Sequence, residues 1–323
     1  MKSILDGEKL IVMDVPSEES TYPGHVGEEF ASRAMTINEA KMVADAGVKT
    51  VTYFAQWHRM EKVPGQMDWS ITDQILYRNR QAGLKTLFLV YSSAAEYFPP
   101  DYYQQAEDGK GGVWVANNVK ATAWSMLSPW NKDAQYESKK FITNFIKHYT
   151  APDVEFGWTL CKEGETVIMP ECSAWQDPHA IASRNNQELL PWLKETLVDY
   201  WKTNQDLFPV KWMFLHRAFT WKACNFIDEM AASLAGHDIY NLQWTYWPHR
   251  MLIDTVDADT RKYGFHSYAG AEWCEGLATN GPKVKQHPLD GLIVGPIHPV
   301  SGRKGIEPWM LENMKIYLRQ FNS

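Results

Sequence analysis

The feature that most constrains this chain is an alternation of short apolar segments with longer amphipathic ones, repeated along most of its length. Residues 84–92 (LKTLFLVYS) have the length and composition of a strand buried on both faces. Residues 36–47 have helical periodicity, with a Thr at the start that can cap the first turn and a Gly after the last. Strands that alternate with helices indicate an α/β protein with a parallel sheet.

Eight strands and seven helices are predicted from this pattern. The strands are 9–15, 48–57, 84–92, 154–160, 210–216, 239–246, 263–268 and 291–297. The helices are 36–47, 71–82, 134–149, 187–203, 221–234, 250–259 and 307–321. Eight strands of this kind predict a (β/α)8 TIM barrel, whereas a doubly wound sheet is disfavoured because no GxGxxG turn follows the first strand.

The predicted barrel is one domain over residues 1–323, with long loops after strands 3 and 4. No linker, repeat or low-complexity stretch divides the chain. Residues 93–132 form a connection too long to be idle in a compact domain, and the aromatic residues in it, Trp130 included, are expected to wall the active site. The residues between strand 4 and the helix at 187–203, including 170–186, are predicted to be loop.

Charge and composition exclude several classes of partner. A net charge of -7 and a pI of about 5.8 leave no electrostatic basis for binding nucleic acid or an anionic membrane. Neither a signal peptide nor a transmembrane segment is recognisable, so we expect a soluble cytoplasmic protein. The four cysteines form no CxxC pair, and we expect no metal and no cofactor; the oligomeric state is left open.

Carboxylates follow several predicted strands, at the end of a barrel where active sites lie. Asp14 follows strand 1, Glu163 and Glu165 follow strand 4, and Glu272 and Glu275 follow strand 7. Glutamates from strands 4 and 7 would face each other across the mouth of such a barrel. One glutamate can then protonate a leaving oxygen while the other attacks or activates water, which is the chemistry of glycosidic bond cleavage.

Aromatic and imidazole side chains near the same end of the barrel suit a carbohydrate substrate. The chain has 15 Trp and is 13% aromatic, and flat rings can stack on sugar faces while imidazoles bond to hydroxyls. Glu275, a carboxylate, is also expected to bind the substrate. The predicted substrate-binding residues are Trp57, His58, Tyr91, His216, Trp244, Tyr246, His266 and Glu275.

The sequence also resembles a known group of barrel enzymes. The run AQWHRMEKVPGQMDWS, followed by AGLKTLFLVYSS, is similar to the second and third strand region of glycoside hydrolase family 42 β-galactosidases and β-amylases. The likeness continues through YFPPDYY, SPWNKDAQYESKKFITNFIKHY and FGWTLCKEGE, and it covers residues 48–170. The resemblance implies a clan A-like barrel that hydrolyses O-glycosidic bonds of an oligo- or polysaccharide.

The resemblance bears on which glutamate is the acid. In clan A barrels the acid follows an Asn, but Lys162 precedes Glu163 here, whereas Gly164-Glu165 with Pro170 is similar to the acid segment of β-amylases. Glu165 is therefore preferred over Glu163. Glu272 is preferred over Glu275 as the partner because it comes sooner after strand 7. Both choices stay open, as does retention or inversion, because the distance between the two carboxyl groups decides the stereochemistry.

Two other functions fit the same residues. His216, His249, His266 and His298, with the glutamates, would suit a metal-dependent barrel hydrolase or isomerase. A non-catalytic carbohydrate-binding barrel would keep the aromatic platform without the paired carboxylates.

Overall fold

The computed structural model describes the parts of the chain from which the fold can be read. These are residues 3–14, 35–61, 63, 65–91, 113–114, 126–127, 130–159, 178–209, 211–216, 232, 239–245, 262, 264, 266–271, 274, 277–278, 285–287, 289–295 and 306–322.

Eight parallel strands pair side by side in a closed ring. In chain order they are β1 Leu10–Asp14, β2 Thr50–Gln56, β3 Lys85–Tyr91, β4 Val154–Thr159, β5 Lys211–His216, β6 Ile239–Thr245, β7 His266–Ala271 and β8 Gly291–Val294. Each strand pairs with its neighbours in sequence, and β8 returns to pair with β1. The predicted α/β class with a parallel sheet is confirmed.

Seven helices are described around these strands. They are α1 Ile37–Asp45, α2 Trp57–Met60, α3 Ser70–Gln81, α4 Lys132–Tyr149, α5 Pro178–Arg184, α6 Leu189–Gln205 and α7 Pro308–Asn322. The helices predicted at 221–234 and 250–259 lie outside the described residues, so a helix after every strand stays a prediction. Within the part of the chain described, no helix combines the length and the apolar character needed to cross a membrane.

Two elements differ from the sequence-based prediction. Strand β7 spans His266–Ala271, whereas 263–268 was predicted. The prediction was misplaced because the second half of the strand consists of small residues that carry little apolar signal. Helix α5 lies within the segment predicted to be loop. It is only seven residues long, and its Pro178 occupies the first helical position, where proline is favoured. A short antiparallel ladder, Val113–Trp114 with Met126–Leu127, lies in the connection after β3.

A layer of apolar side chains joins the strands to the surrounding helices. Helices α1 and α7 pack on β1 and β8 through buried residues, among them Ala40, Val43, Met310, Met314, Leu10, Val12, Leu292 and Val294. Between β3, β4 and α4 the layer is aromatic, with ring centroids of Phe88 and Phe145 5.2 Å apart. Each fully buried side chain of this kind contributes about 1.5–3 kcal/mol to the stability of the fold.

The amino-terminal segment closes the barrel at the amino ends of the strands. Glu155, near the start of β4, accepts a hydrogen bond from the Ser3 hydroxyl at 2.8 Å and one from the Ile4 backbone N–H at 2.7 Å. Tyr268 of β7 donates its hydroxyl to the Leu5 carbonyl at 2.9 Å. The buried polar groups of Glu155 and Tyr268 are thus satisfied by the amino-terminal segment, which seals this end.

Candidate functional site

The carboxyl ends of the strands bring several predicted site residues to one end of the barrel. His216, the last residue of β5, is the register partner of Trp244 in β6. Tyr91, the last residue of β3, lies between Gln56 of β2 and Thr159 of β4. The backbone positions of Tyr91, His216 and Trp244 are therefore where the sequence predicted them, while their side chains lie outside what is described.

The candidate carboxylates follow two of these strand ends in the chain. Strand β4 ends at Thr159, upstream of Glu163 and Glu165, and β7 ends at Ala271, so that Glu272 is the next residue. Ala271 is in register with Thr245 of β6 and Val294 of β8. Glu163, Glu165, Glu272, Glu275 and Tyr246 themselves lie outside the described residues.

Trp57 is not available as a sugar platform, which corrects the sequence-based prediction. Its side chain is fully buried and stacks on Phe141 of α4, with centroids 5.2 Å apart and an interplanar angle of 16°. Its indole N–H donates to the carboxylate of Glu61. The physical reason is that the chain turns into α2 at Trp57, which aims the indole at α4; the side chain of His58 lies outside the described part.

Glu61 is a carboxylate near the carboxyl end of β2 that is not among the predicted site residues. It is 6% exposed and accepts a hydrogen bond from the Gly65 backbone N–H at 2.6 Å as well as the bond from Trp57. Gly65 has a φ of +78°, a conformation that favours glycine. Glu61 therefore anchors the turn after α2 and needs no substrate to satisfy it.

Asp14 is another rim carboxylate whose function proves structural. It is fully buried, its carboxylate lies 2.6 Å from the Arg78 guanidinium of α3, and it accepts a hydrogen bond from the Met35 N–H at 3.2 Å. Arg78 in turn donates to the Met35 carbonyl at 2.7 Å. The pair fixes α3 and the start of the α1 region on β1, so Asp14 faces the helices rather than the mouth.

His266 lies at the opposite end of the barrel from the one predicted. It is the first residue of β7, so it belongs to the amino ends of the strands, together with the sealing segment. Its ring stacks on Tyr240 with centroids 4.8 Å apart, and its Nδ1 lies 3.4 Å from the carboxylate of Asp290. The error follows from the shift of β7 by three residues relative to the predicted strand.

The ends of the two long connections, after β3 and after β4, meet in a cluster that the sequence did not reveal. The rings of Trp130 and Trp192 stack with centroids 5.0 Å apart, and the Trp130 indole donates to the Thr196 hydroxyl at 3.1 Å. Nδ2 of Asn131 lies 3.0 Å from Nε2 of His179. We call these five residues the loop-end cluster; its only sequence signal is Asn131, a favoured residue at a helix start.

Connectivity places the loop-end cluster toward the carboxyl ends of the strands. Helix α4 ends at Tyr149, just before β4 begins at Val154, so its other end, about 27 Å away at 1.5 Å per residue, lies toward the mouth of the barrel. Trp130 and Asn131 directly precede that end of α4. The cluster therefore flanks the region where Glu163 and Glu165 are expected.

The described residues contain no candidate metal-binding cluster. Among the residues the structure describes, no group of three or more His, Cys, Asp or Glu side chains is arranged to hold a metal ion. Of the four histidines considered as ligands, His216 is described in its backbone alone, and His249 and His298 lie outside the described residues.

The fold resembles that of solved glycoside hydrolases. No protein-family model matches the chain, and no curated protein matches it in sequence. A Prevotella bryantii endo-beta-mannanase/endo-beta-glucanase matches at a TM-score of 0.59 and 12% identity over 99% of this chain, which spans about half (49%) of that chain. A glycoside hydrolase family 5 enzyme from Prevotella bryantii matches at a TM-score of 0.57 and 11% identity, over 97% of this chain and 96% of that one.

A third solved structure has the same architecture. An endogalactoceramidase matches at a TM-score of 0.57 and 11% identity, over 96% of this chain and 82% of that one. Identities this low concern the fold alone. The chain therefore has an α/β fold of the kind found in TIM-barrel glycoside hydrolases.

Proposed function

We propose that this chain is a glycoside hydrolase built as a single (β/α)8 barrel over residues 1–323. The proposal is supported by the ring of parallel strands and by its likeness to solved glycoside hydrolases. Barrel enzymes of this type hold their chemistry at the carboxyl ends of the strands, the same end at which the chain carries its unassigned glutamates.

The observation that carries the proposal is where β7 ends. Ala271, its last residue, is in register with the last residues of β6 and β8, and Glu272 is the next residue in the chain. Glu163 and Glu165 follow the end of β4, three strands away around the ring. A carboxyl group from each strand can then flank a glycosidic bond held across the mouth.

The proposed reaction needs no group beyond this pair and water. Glu165, or Glu163 in its place, protonates the glycosidic oxygen as it leaves. Glu272, or Glu275 in its place, attacks the anomeric carbon or activates water. A separation of about 5–5.5 Å between the two carboxyl groups would lead to retention, and one of about 6.5–9.5 Å to inversion.

Neighbouring side chains are proposed to bind the sugar. The adjacent positions of His216 and Trp244 at the ends of β5 and β6 suit an imidazole that bonds a hydroxyl beside an indole that stacks on a ring. Tyr91, Tyr246, His58 and Glu275 complete the proposed set. The narrower likeness to family 42 β-galactosidases and β-amylases, over residues 48–170, is part of the same proposal.

Hydrolysis of defined glycosides tests the function. Substrates would include β-mannan, β-glucan, starch, and nitrophenyl β-galactoside and β-glucoside, and released reducing ends would be measured with wild type and with Glu163→Gln, Glu165→Gln, Glu272→Gln and Glu275→Gln. One variant from each pair should lose about 10²–10⁴-fold in kcat. Glu195→Gln, an exposed change on α6, is the matched control and should keep full activity.

Other outcomes would identify the competing functions. If the wild type binds glycans without cleaving them, and binding survives all four Gln variants, the protein is a carbohydrate-binding barrel. If hydrolysis disappears with a chelator and returns with a divalent metal, the reaction is metal-dependent. Either result would overturn the two-glutamate mechanism.

A further inference from the structure

The amide of Asn131 has its orientation fixed by the helix that it caps. Its Oδ1 accepts hydrogen bonds from the backbone N–H groups of Asp133 at 2.9 Å and Ala134 at 3.1 Å, at the start of α4. Rotating the amide by 180° would turn its NH2 group toward these two donors and leave both without an acceptor. The Nδ2 atom, which can only donate, must therefore face His179.

The orientation of the amide sets which tautomer of His179 can accept its hydrogen bond. Because Nδ2 of Asn131 lies 3.0 Å from Nε2 of His179, that ring nitrogen has to accept the hydrogen bond. An imidazolium carries hydrogen on both nitrogens and cannot accept. As a hydrogen bond, the contact therefore requires the tautomer of His179 that carries its hydrogen on Nδ1.

The contact joins the two long connections of the barrel. Asn131 ends the connection from β3 to α4, and His179 is the second residue of α5, which follows the connection from β4 that carries Glu163 and Glu165. The stack of Trp130 on Trp192 and the bond from Trp130 to Thr196 reinforce it from α6. Asn131 is 7% exposed and Trp192 is 3% exposed, whereas His179 and Trp130 are half-buried.

We propose that Asn131 and His179 are positioning residues for the acid: their neutral hydrogen bond holds the start of α5 against the start of α4 and so fixes the downstream end of the segment that carries Glu163 and Glu165. This inference rests on the proposed glycosidase function. Neither residue touches the reacting atoms. A contact that only stabilised the fold would affect unfolding but would not selectively lower kcat.

The first test reads the tautomer directly and needs no activity. ¹⁵N-histidine-labelled protein would be studied by long-range ¹H–¹⁵N NMR at neutral pH, with His179 assigned by the signal missing from His179→Gln. A neutral ring with an unprotonated Nε2 and hydrogen on Nδ1 supports the contact. A neutral ring with hydrogen on Nε2, or an imidazolium, overturns it.

The second test separates positioning from capping. Asn131→Ser keeps a hydroxyl that can cap α4 but is too short to reach His179, and His179→Ala removes the acceptor. Both should lower kcat by about 10–100-fold with little change in KM, as expected when a reacting group is displaced by about 1 Å. His179→Gln should restore most of kcat, because a Gln side-chain oxygen can take the place of Nε2 as acceptor.

Controls keep the outcomes distinct. Gln187→Glu, an exposed amide-to-acid change after α5, should leave kcat unchanged. If kcat falls only in proportion to the loss of folded protein, or if His179→Gln is as impaired as His179→Ala, the positioning function is overturned. If the wild type cleaves no glycoside, the positioning function falls with the proposed function, while the NMR result still decides whether the neutral contact exists.

Discussion

The two ends of the barrel use similar residues for different purposes. At the amino ends, the segment from Ser3 to Leu5 satisfies Glu155 and Tyr268, and the interior is closed. At the carboxyl ends, the two long connections lead away from β3 and β4, and the glutamates proposed for catalysis follow β4 and β7. The contrast shows that a carboxylate near a strand end does not by itself identify an active site. The hydrogen-bond partners of the carboxylate decide whether its function is structural.

The largest expected effects come from two glutamates, one near the start of β4 and one that follows its end in the chain. Glu165→Gln should reduce kcat by about 10²–10⁴-fold and leave stability nearly unchanged. Glu155→Gln should leave kcat per folded molecule unchanged but destabilise the protein by about 1–3 kcal/mol, because the two hydrogen bonds that a carboxylate accepts from Ser3 and Ile4 would become weaker neutral ones. Reducing-end assays and urea unfolding measure the two effects.

The comparison fails if both variants change the same property. A loss of activity in fully folded Glu155→Gln would mean that the sealed end communicates with the mouth. A large loss of stability in Glu165→Gln would mean that Glu165 is structural, as Glu61 is, and Glu163 would become the candidate acid.

The buried pair of Asp14 and Arg78 gives the next largest effect. Asp14→Ala leaves the guanidinium of Arg78 buried with no carboxylate to neutralise it, and we expect a loss of about 3–5 kcal/mol. Asp14→Ala with Arg78→Met should be less damaging than Asp14→Ala alone, because no uncompensated charge remains. Urea unfolding of both measures this; equal losses would contradict an ion-pair function.

Buried tyrosines at the sealed end should make the fold sensitive to alkali. Burial raises the pKa of Tyr268 and of Tyr317 above the ordinary value, so both hydroxyls stay protonated in the fold while the unfolded chain ionises near pH 10. Their contribution is fully present below about pH 10 and is lost as pH rises above it. Each Tyr→Phe change should reduce the slope of unfolding free energy against pH by about 1.4 kcal/mol per unit.

This slope sharpens the comparison of the two ends. It would be measured by urea unfolding at several pH values above and below the tyrosine range, with the exposed Tyr136→Phe as the matched control. Tyr136→Phe should leave the slope unchanged. An unchanged slope for Tyr268→Phe would mean that the hydroxyl at the sealed end is reached by water.

The surface pair of Arg80 and Asp153 gives the smallest effect. The hydrogen bond from Arg80 lowers the pKa of Asp153, so its contribution is present above the unfolded value near pH 3.9 and is lost as pH falls through the lower folded value. Because the side chains are 45% and 33% exposed, Asp153→Asn should cost at most about 1 kcal/mol, and less in high salt. An unfolding difference that does not shrink with salt would contradict this.

Local signals in the sequence predicted the described helices well where caps are strong. Thr36 was predicted to cap α1, and it forms a capping box with Glu39. The glycine predicted just past the end of α1 is Gly47, and it has a positive φ. These features depend on neighbours within a few residues, so the chain itself contains the information.

The missed features depend on partners distant in the chain. Trp57 is buried because its indole stacks on Phe141 and donates to Glu61. Hydrophobic periodicity does not predict the direction in which a side chain at a strand-to-helix turn points. His179 and Asn131 are 48 positions apart in the sequence, and no local sequence pattern predicts their contact. For β7, the small residues of its second half pair in register with β6 and β8 without an apolar signal of their own.

The sealing segment also has a consequence for the order in which the protein is made. The carbonyl of Leu5 cannot accept its hydrogen bond until Tyr268, 263 positions later in the chain, has been synthesised. At ribosomal rates of roughly 5–20 residues per second, that interval is on the order of 13–50 seconds. Residues 3–5 thus find their partners long after they are synthesised, and the barrel stays open at its base until the seventh strand has been made.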